Sequence, residues 1–414
     1  MKVKITPFSP SGKIVAPPSK SVAHRLLIGA SLSKGETEIK NVGNSADVIA
    51  TCSCLRALGA QIELKDGNAV VKGIKNISKG NLLDCNESGS TLRFLMPVAC
   101  ALGADATFTG SQKLLSRPSK ALSDELSNHG ILVDGWSYLG ALKSGRYFID
   151  ASVSSQYITG LLFALPILDG DSEIILKGEV VSRNYIEITL STLDKFKIKY
   201  QKSGNSIFIK GNQEFVSPKT LTVEGDWSGS AFPLVLGAVG GQVSVYGLDV
   251  NSKQGDKEIL SVLEKFGAKI EIQKGFVKVS KDKAKAFTQD FENIPDLAPV
   301  CAVLSACAKG ESVFTGIQRL KIKESDRVAT TIKMLSVAGV TAYEENGRIV
   351  IVGSNVKGGV FFGENDHRIV MSSVVLASVA NGDSQIVGAE AIEKSYPDFF
   401  RDFNILGGNA NVDI

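Results

Sequence analysis

Six times in 414 residues the chain repeats one pattern. A short polar cluster opens an apolar helix, glycine follows, and a β-rich segment comes next. The helices read SVAHRLLIGASLSKG, GSTLRFLMPVACALG, SSQYITGLLFALPILDG, GSAFPLVLGAVGG, DLAPVCAVLSACAKG and HRIVMSSVVLASVANG. Gly35, Gly103, Gly170, Gly240, Gly310 and Gly382 recur about every seventy residues, and predict where each helix stops. These helices have almost no polar face, so they must be buried inside whatever they build.

The segments behind the glycines, such as GETEIKNV, GDSEIILKG and GQVSVYGL, alternate and are rich in β-branched residues, which predicts strands. An amphipathic helix and a hairpin complete each unit, with Asp66-Gly67 and Asn346-Gly347 as the turn pairs. Six such units exceed one compact core, so two domains of three units are expected, with a break near Val223 to Asp226. The helix N-termini would then line a cleft between them.

Polar clusters precede the buried helices at 18–21, 86–90, 153–156, 224–230, 293–296 and 364–368. Ser, Asn and Asp are the preferred caps, and capping alone would explain any single cluster. The cations it does not explain. Lys20, Arg25, Arg93, Arg117, Lys323, Arg327, Arg368 and Lys394 lie in or within a turn of helix starts. A cation there opposes the helix dipole, so its repetition points to a multiply charged anionic ligand. Ser21 and Arg25 share a helical face, and Lys323 and Arg327 repeat that spacing. Among the cations, Asp296 and Glu324 are the candidate acid–base carboxylates, while Asp226 and Asp47 read as caps. His24 and His367 each precede an arginine and serve to fix it or a backbone carbonyl.

Other chemistries are disfavoured. A net charge of +3 and the lack of aromatic platforms between the cations argue against nucleic acid. No apolar run reaches the ~18 residues that span a bilayer. The three histidines show no metal spacing, and the scattered cysteines read as buried thiols of a reducing cytoplasm. P-loop, dinucleotide and nucleophile-elbow motifs are missing.

The ordered motifs PPSKSVAHR, ESGSTLRF, SRPSKAL, SSQYITGLL, EGDWSGSAF, IPDLAP, KESDR, NDHR and KSYPDFF resemble the enolpyruvyl transferases over essentially the whole chain. The resemblance implies an α/β fold of two inverted α/β domains, each of three βαβαββ units around buried helices, with an interdomain cleft. Residues 20–224 would form the first domain, and 1–19 with 225–414 the second. It further implies transfer of the enolpyruvyl group of phosphoenolpyruvate to the 5-hydroxyl of shikimate 3-phosphate, through a tetrahedral ketal, without metal or organic cofactor. A cytoplasmic monomer is expected, with neither nucleic acid nor membrane as partner.

By the same resemblance, shikimate 3-phosphate would be held by Lys20, Ser21, Arg25, Ser154, Ser155, Gln156, Ser182, Tyr185, Asp296 and Lys323. Phosphoenolpyruvate would be held by Lys20, Gly89, Arg117, Gln156, Glu324, Arg327, Arg368 and Lys394. Asp296 would take the hydroxyl proton, and Glu324 with Lys20 would supply one to the methylene carbon. Glu87 and Phe94 depart from the usual pattern, which bears on affinity for phosphoenolpyruvate and for the family's inhibitor glyphosate. The sister enzyme acting on UDP-N-acetylglucosamine typically carries a loop cysteine, whereas SQKLLSRPSK has none. A non-catalytic binder of phosphorylated metabolites would not need Asp296 and Glu324.

Overall fold

The computed structural model of the protein describes residues 1–152, 154–178 and 180–413; Val153, the first residue of the third polar cluster, lies outside the described residues. The chain divides into two units. Lys20–Val223 forms an inserted unit, and Met1–Ser19 with Glu224–Ile414 forms a split unit. Glu224, which the sequence reading put in the inserted stretch, belongs to the split unit. Its carboxylate accepts hydrogen bonds from Ser252 Oγ and Gln254 Nε2, at 2.8 and 2.9 Å, and its carbonyl accepts one from Ser19 N.

Among the described residues, each unit contains three four-stranded sheets built alike. A parallel pair flanks a buried helix, and an antiparallel pair completes the sheet, a hairpin in every case but the sheet that holds the Lys2–Ile5 strand. Arg146–Asp150 runs parallel to Ser172–Lys177 across the Ser155–Ala164 helix, and Tyr200–Ser203 with Ser206–Ile209 is the hairpin. In two sheets the parallel edge strand comes from far along the chain. Thr220–Thr222 pairs with Glu36–Lys40, and Ser11–Val15 pairs with Gln242–Tyr246. The N-terminal Lys2–Ile5 strand lies between Ser384–Val387 and Asn411–Asp413, so two strands of the N-terminal stretch join the split unit. Residues before Lys20 and after Val223 run antiparallel: Ser19 N donates to Glu224 O and Asp226 N to Pro17 O.

Each unit has its own apolar core. The buried helices are Lys20–Leu32, Gly89–Leu102 and Ser155–Ala164 in one unit, and Trp227–Gly240, Ala298–Cys307 and His367–Ala377 in the other. Gly160 lets two of them touch, because a β-carbon there would sit 2.6 Å from the Arg93 carbonyl oxygen. The Asp66-Gly67 and Asn346-Gly347 turns both have positive φ at each residue, as a two-residue hairpin turn requires.

The glycines behave differently from the simple stop rule. Of the six that recur, only Gly103 is a left-handed helix cap. Gly35, Gly310 and Gly382 also have positive φ, but they stand past the helix ends, in the bends that launch the next strand. Gly240 is still helical, and a 3-10 turn at Leu165–Ile167 separates Gly170 from its helix. All six cysteines are free thiols.

Candidate functional site

In the inserted unit the polar helix starts carry three linked arrangements. Lys20 opens its helix, and its ammonium lies 2.6 Å from Asp47 Oδ2. Asp47 was read as a cap; its carboxylate instead holds this lysine, 27 residues away in the chain. Beneath the pair, a chain of 2.6, 2.6 and 2.7 Å hydrogen bonds joins His24 Nδ1, Thr51, Thr91 and Ser88, tying three helices together. Burial, then the charges of Lys20 and Arg25, holds His24 well below the usual histidine range, so it is neutral.

Arg25 is turned inward and only 2 % exposed. Its guanidinium donates to Ser21 O, Thr189 Oγ1, Thr159 Oγ1 and Tyr185 O at 2.7–3.2 Å, and lies 4.9 Å from the Phe94 ring centre. These acceptors are all neutral, so they solvate the cation without cancelling its charge. Burial pushes Arg25 down to about 9. Phe94, which departs from the family pattern, is thus the floor under this cation.

Gly89 begins the second buried helix, whose cap is Ser88. A β-carbon at Gly89 would meet Arg93 Nη1 at 2.8 Å and Arg117 Nη1 at 3.1 Å, so two guanidinium groups converge over a bare backbone. Arg93 Nη1 donates to Gln156 Oε1 at 2.7 Å, and Gln156 Nε2 donates to Ser90 Oγ at 3.0 Å, which fixes the amide's orientation. Arg93 and Tyr157 also both donate to Pro118 O, holding the loop that carries Arg117. Ser154 caps the third helix through Gln156 N, and Ser155 is buried in its first turn. Ser182 precedes the Arg183–Lys195 helix at φ 53°, a strained conformation for serine, and its side chain does not cap.

The split unit gathers charge of both signs. Asp296 does not cap; it sits in a 3-10 turn at Pro295–Leu297. Its Oδ1 lies 2.7 Å from Arg327 Nη1 and 3.4 Å from Lys323 Nζ, and its Oδ2 lies 3.3 Å from Arg368 Nη2. Arg327 is 1 % exposed and contacts three carboxylates, donating also to Glu324 at 2.6 Å and to both oxygens of Asp366. Asp366 caps the last buried helix through Arg368 N and accepts from Ser325 Oγ. Lys394 Nζ donates to Asn365 O at 2.6 Å, beside that cap.

The i,i+4 helical spacing read for Lys323 and Arg327 is not realised. Lys323 is extended, and the helix starts at Arg327 behind its Asp326 cap. They meet through Asp296 instead.

Burial alone would raise Asp296. The charges of Arg368, Lys323 and Arg327 outweigh it and hold this carboxyl well below the usual range. Lys323 is pushed down by burial, with Asp296 opposing. Asp256, absent from the residues singled out by sequence, is buried; desolvation and then the charge of Asp296 push it up to about 6. Asp366 and Asp256 look like ordinary capping and turn residues in the sequence, and only their burial distinguishes them. Arg93 stands among the cations at the helix starts but is not assigned to either substrate by the sequence reading. Asp226 does cap, accepting from Gly229 N at 2.7 Å.

Among the described residues, no group of three or more His, Cys, Asp or Glu is placed to hold a metal, and no helix is long and apolar enough to cross a membrane. The cations over Gly89 suit an anion; the cluster around Asp296 joins three cations to a carboxylate, the type of group that can accept a proton.

The family model described as EPSP synthase (3-phosphoshikimate 1-carboxyvinyltransferase) matches residues 6–403. A protein of that name from Clostridium kluyveri is 41% identical over 98% of this chain and 97% of its own length. One from Clostridium novyi is 39% identical with the same coverage. Among solved structures, EPSP synthase from Acinetobacter baumannii superposes with a TM-score of 0.83 at 24% identity, covering 99% of this chain and 100% of that one. An enolpyruvyl transferase from Streptomyces tendae gives 0.81 at 14%, covering 99% and 98%; both structures speak to the fold alone. With the family model spanning nearly all of the chain, and relatives this similar along their whole length, the chain belongs to the EPSP synthase family.

Proposed function

We propose that the protein transfers the enolpyruvyl group of phosphoenolpyruvate to the 5-hydroxyl of shikimate 3-phosphate and releases phosphate. The observation that carries the reading is Asp296: a half-buried carboxylate, 15 % exposed, kept ionised at 2.7–3.4 Å from three cations. Such a group can take a hydroxyl proton while its neighbours hold the substrates' negative charge.

In this reading a proton is added to the methylene carbon of phosphoenolpyruvate, and Glu324 and Lys20 are the candidate donors. C2 becomes electrophilic, the 5-hydroxyl oxygen attacks it, and Asp296 accepts the hydroxyl proton. The resulting ketal then loses phosphate from C2 and a proton from the methyl carbon, which restores the double bond.

Lys20, Ser21, Arg25, Ser154, Ser155, Gln156, Ser182, Tyr185, Asp296 and Lys323 would hold shikimate 3-phosphate. Arg25, solvated only by neutral acceptors, gains most from that anion. Lys20, Gly89, Arg117, Gln156, Glu324, Arg327, Arg368 and Lys394 would hold phosphoenolpyruvate, to which we add Arg93. Six free thiols favour a reducing compartment, in line with a cytoplasmic enzyme, which we take to act as a monomer.

The test is phosphate release from phosphoenolpyruvate with shikimate 3-phosphate or, separately, UDP-N-acetylglucosamine. Release is expected only with the first, and its absence there sinks the reading. Gly89→Ala should raise the Michaelis constant for phosphoenolpyruvate roughly ten-fold, because the added carbon displaces both guanidinium groups. An unchanged constant would remove phosphoenolpyruvate from that niche.

A further inference from the structure

The cations assigned above to substrate anions are the same ones that contact the base. Asp296 Oδ1 faces Arg327 and Lys323, Oδ2 faces Arg368, and the Asp296 carbonyl accepts from Arg368 Nη1 at 3.1 Å. Arg327 is further shared with Glu324 and Asp366. His367 and Asp256 also act on Asp296 through space.

We propose that these cations mask Asp296 as a base, and that the substrates' anionic groups unmask it by drawing the cations onto themselves; this rests on the function proposed above. A carboxylate neutralised by three cations is a poor proton acceptor. When a phosphate or carboxylate takes over part of that charge, the proton affinity of Asp296 rises. The base then gains strength only when the substrate's charge is in place, which couples proton removal from the hydroxyl to occupancy.

Linkage makes the idea testable without turnover. If an anion raises the proton affinity of Asp296, neutralising Asp296 must tighten anion binding by the same coupling. An opposite charge at this range is worth about 1–3 pKa units, so the tightening should be about ten-fold or more. A residue acting only as a base would leave phosphate affinity unchanged, and a residue acting only as a structural partner would weaken it when removed.

The experiment is calorimetric titration of the full chain with inorganic phosphate, for wild type, Asp296→Asn and Glu324→Gln, with thermal unfolding of each variant alongside. Phosphate should bind about ten-fold tighter to Asp296→Asn, and tighter by a smaller factor to Glu324→Gln, which relieves Arg327 of one carboxylate. The second variant carries the test if the first does not fold, since Glu324 is a quarter exposed. Unchanged or weaker phosphate binding in the variants that fold overturns the proposal. Tighter phosphate binding, together with a wild type that releases no phosphate from the substrates, would keep the masking and discard the assigned reaction.

Discussion

Asp296→Asn is expected to lower turnover by about a hundred-fold or more, without raising the Michaelis constant for shikimate 3-phosphate. Asparagine has nearly the same shape and keeps an oxygen toward Arg327, whose Nη1 lies 2.7 Å from Asp296 Oδ1. What it lacks is a site for the proton. The native group is ionised because the charges of Arg368, Lys323 and Arg327 outweigh its desolvation. Steady-state kinetics with both substrates varied checks this. Equal losses in turnover and in shikimate 3-phosphate binding would make Asp296 a ligand rather than a base.

Arg327→Met should cost the split unit ~3–5 kcal/mol, the usual result of removing one partner from a buried ion pair. Arg327 is enclosed and pairs with Asp296, Glu324 and Asp366, of which Asp366 is fully buried. Methionine fills much of the volume but leaves carboxylates without their shared cation. The pH dependence carries a sign. Asp296 and Asp366 are held below their ordinary range despite burial, largely through Arg327 and its neighbours. Their contribution is therefore complete above the unfolded carboxylate value of about 3.9, and is lost as pH falls through the lower folded values. The variant's deficit in urea unfolding should be full at neutral pH and shrink below about pH 4. A deficit that stays constant in acid would assign the loss to packing instead of charge.

Local chemistry was readable from the chain. Asp66-Gly67 and Asn346-Gly347 made their turns, and Ser88, Ser154 and Asp226 capped their helices, because such features depend on residues within a few positions. The glycines after the helices were read one step too simply, since most of them serve the following bend. The four-residue spacing of Lys323 and Arg327 misled for a related reason: Asp326 caps a helix that begins only at Arg327.

The repeat, with its buried helices and hairpins, was set by the sequence alone, because periodicity and turn chemistry act over short range. So was the gathering of cations at helix starts. Which carboxylate meets which cation was decided by tertiary structure. Lys20 finds Asp47, Arg327 finds Asp296 and Asp366, and Arg368 finds Asp296 across 27, 31, 39 and 72 residues respectively. Nothing in a cap such as Asp366 or a first-turn acid such as Asp47 distinguishes it locally. Folding encloses these groups wholly or in part, and an ion drawn out of water needs a partner.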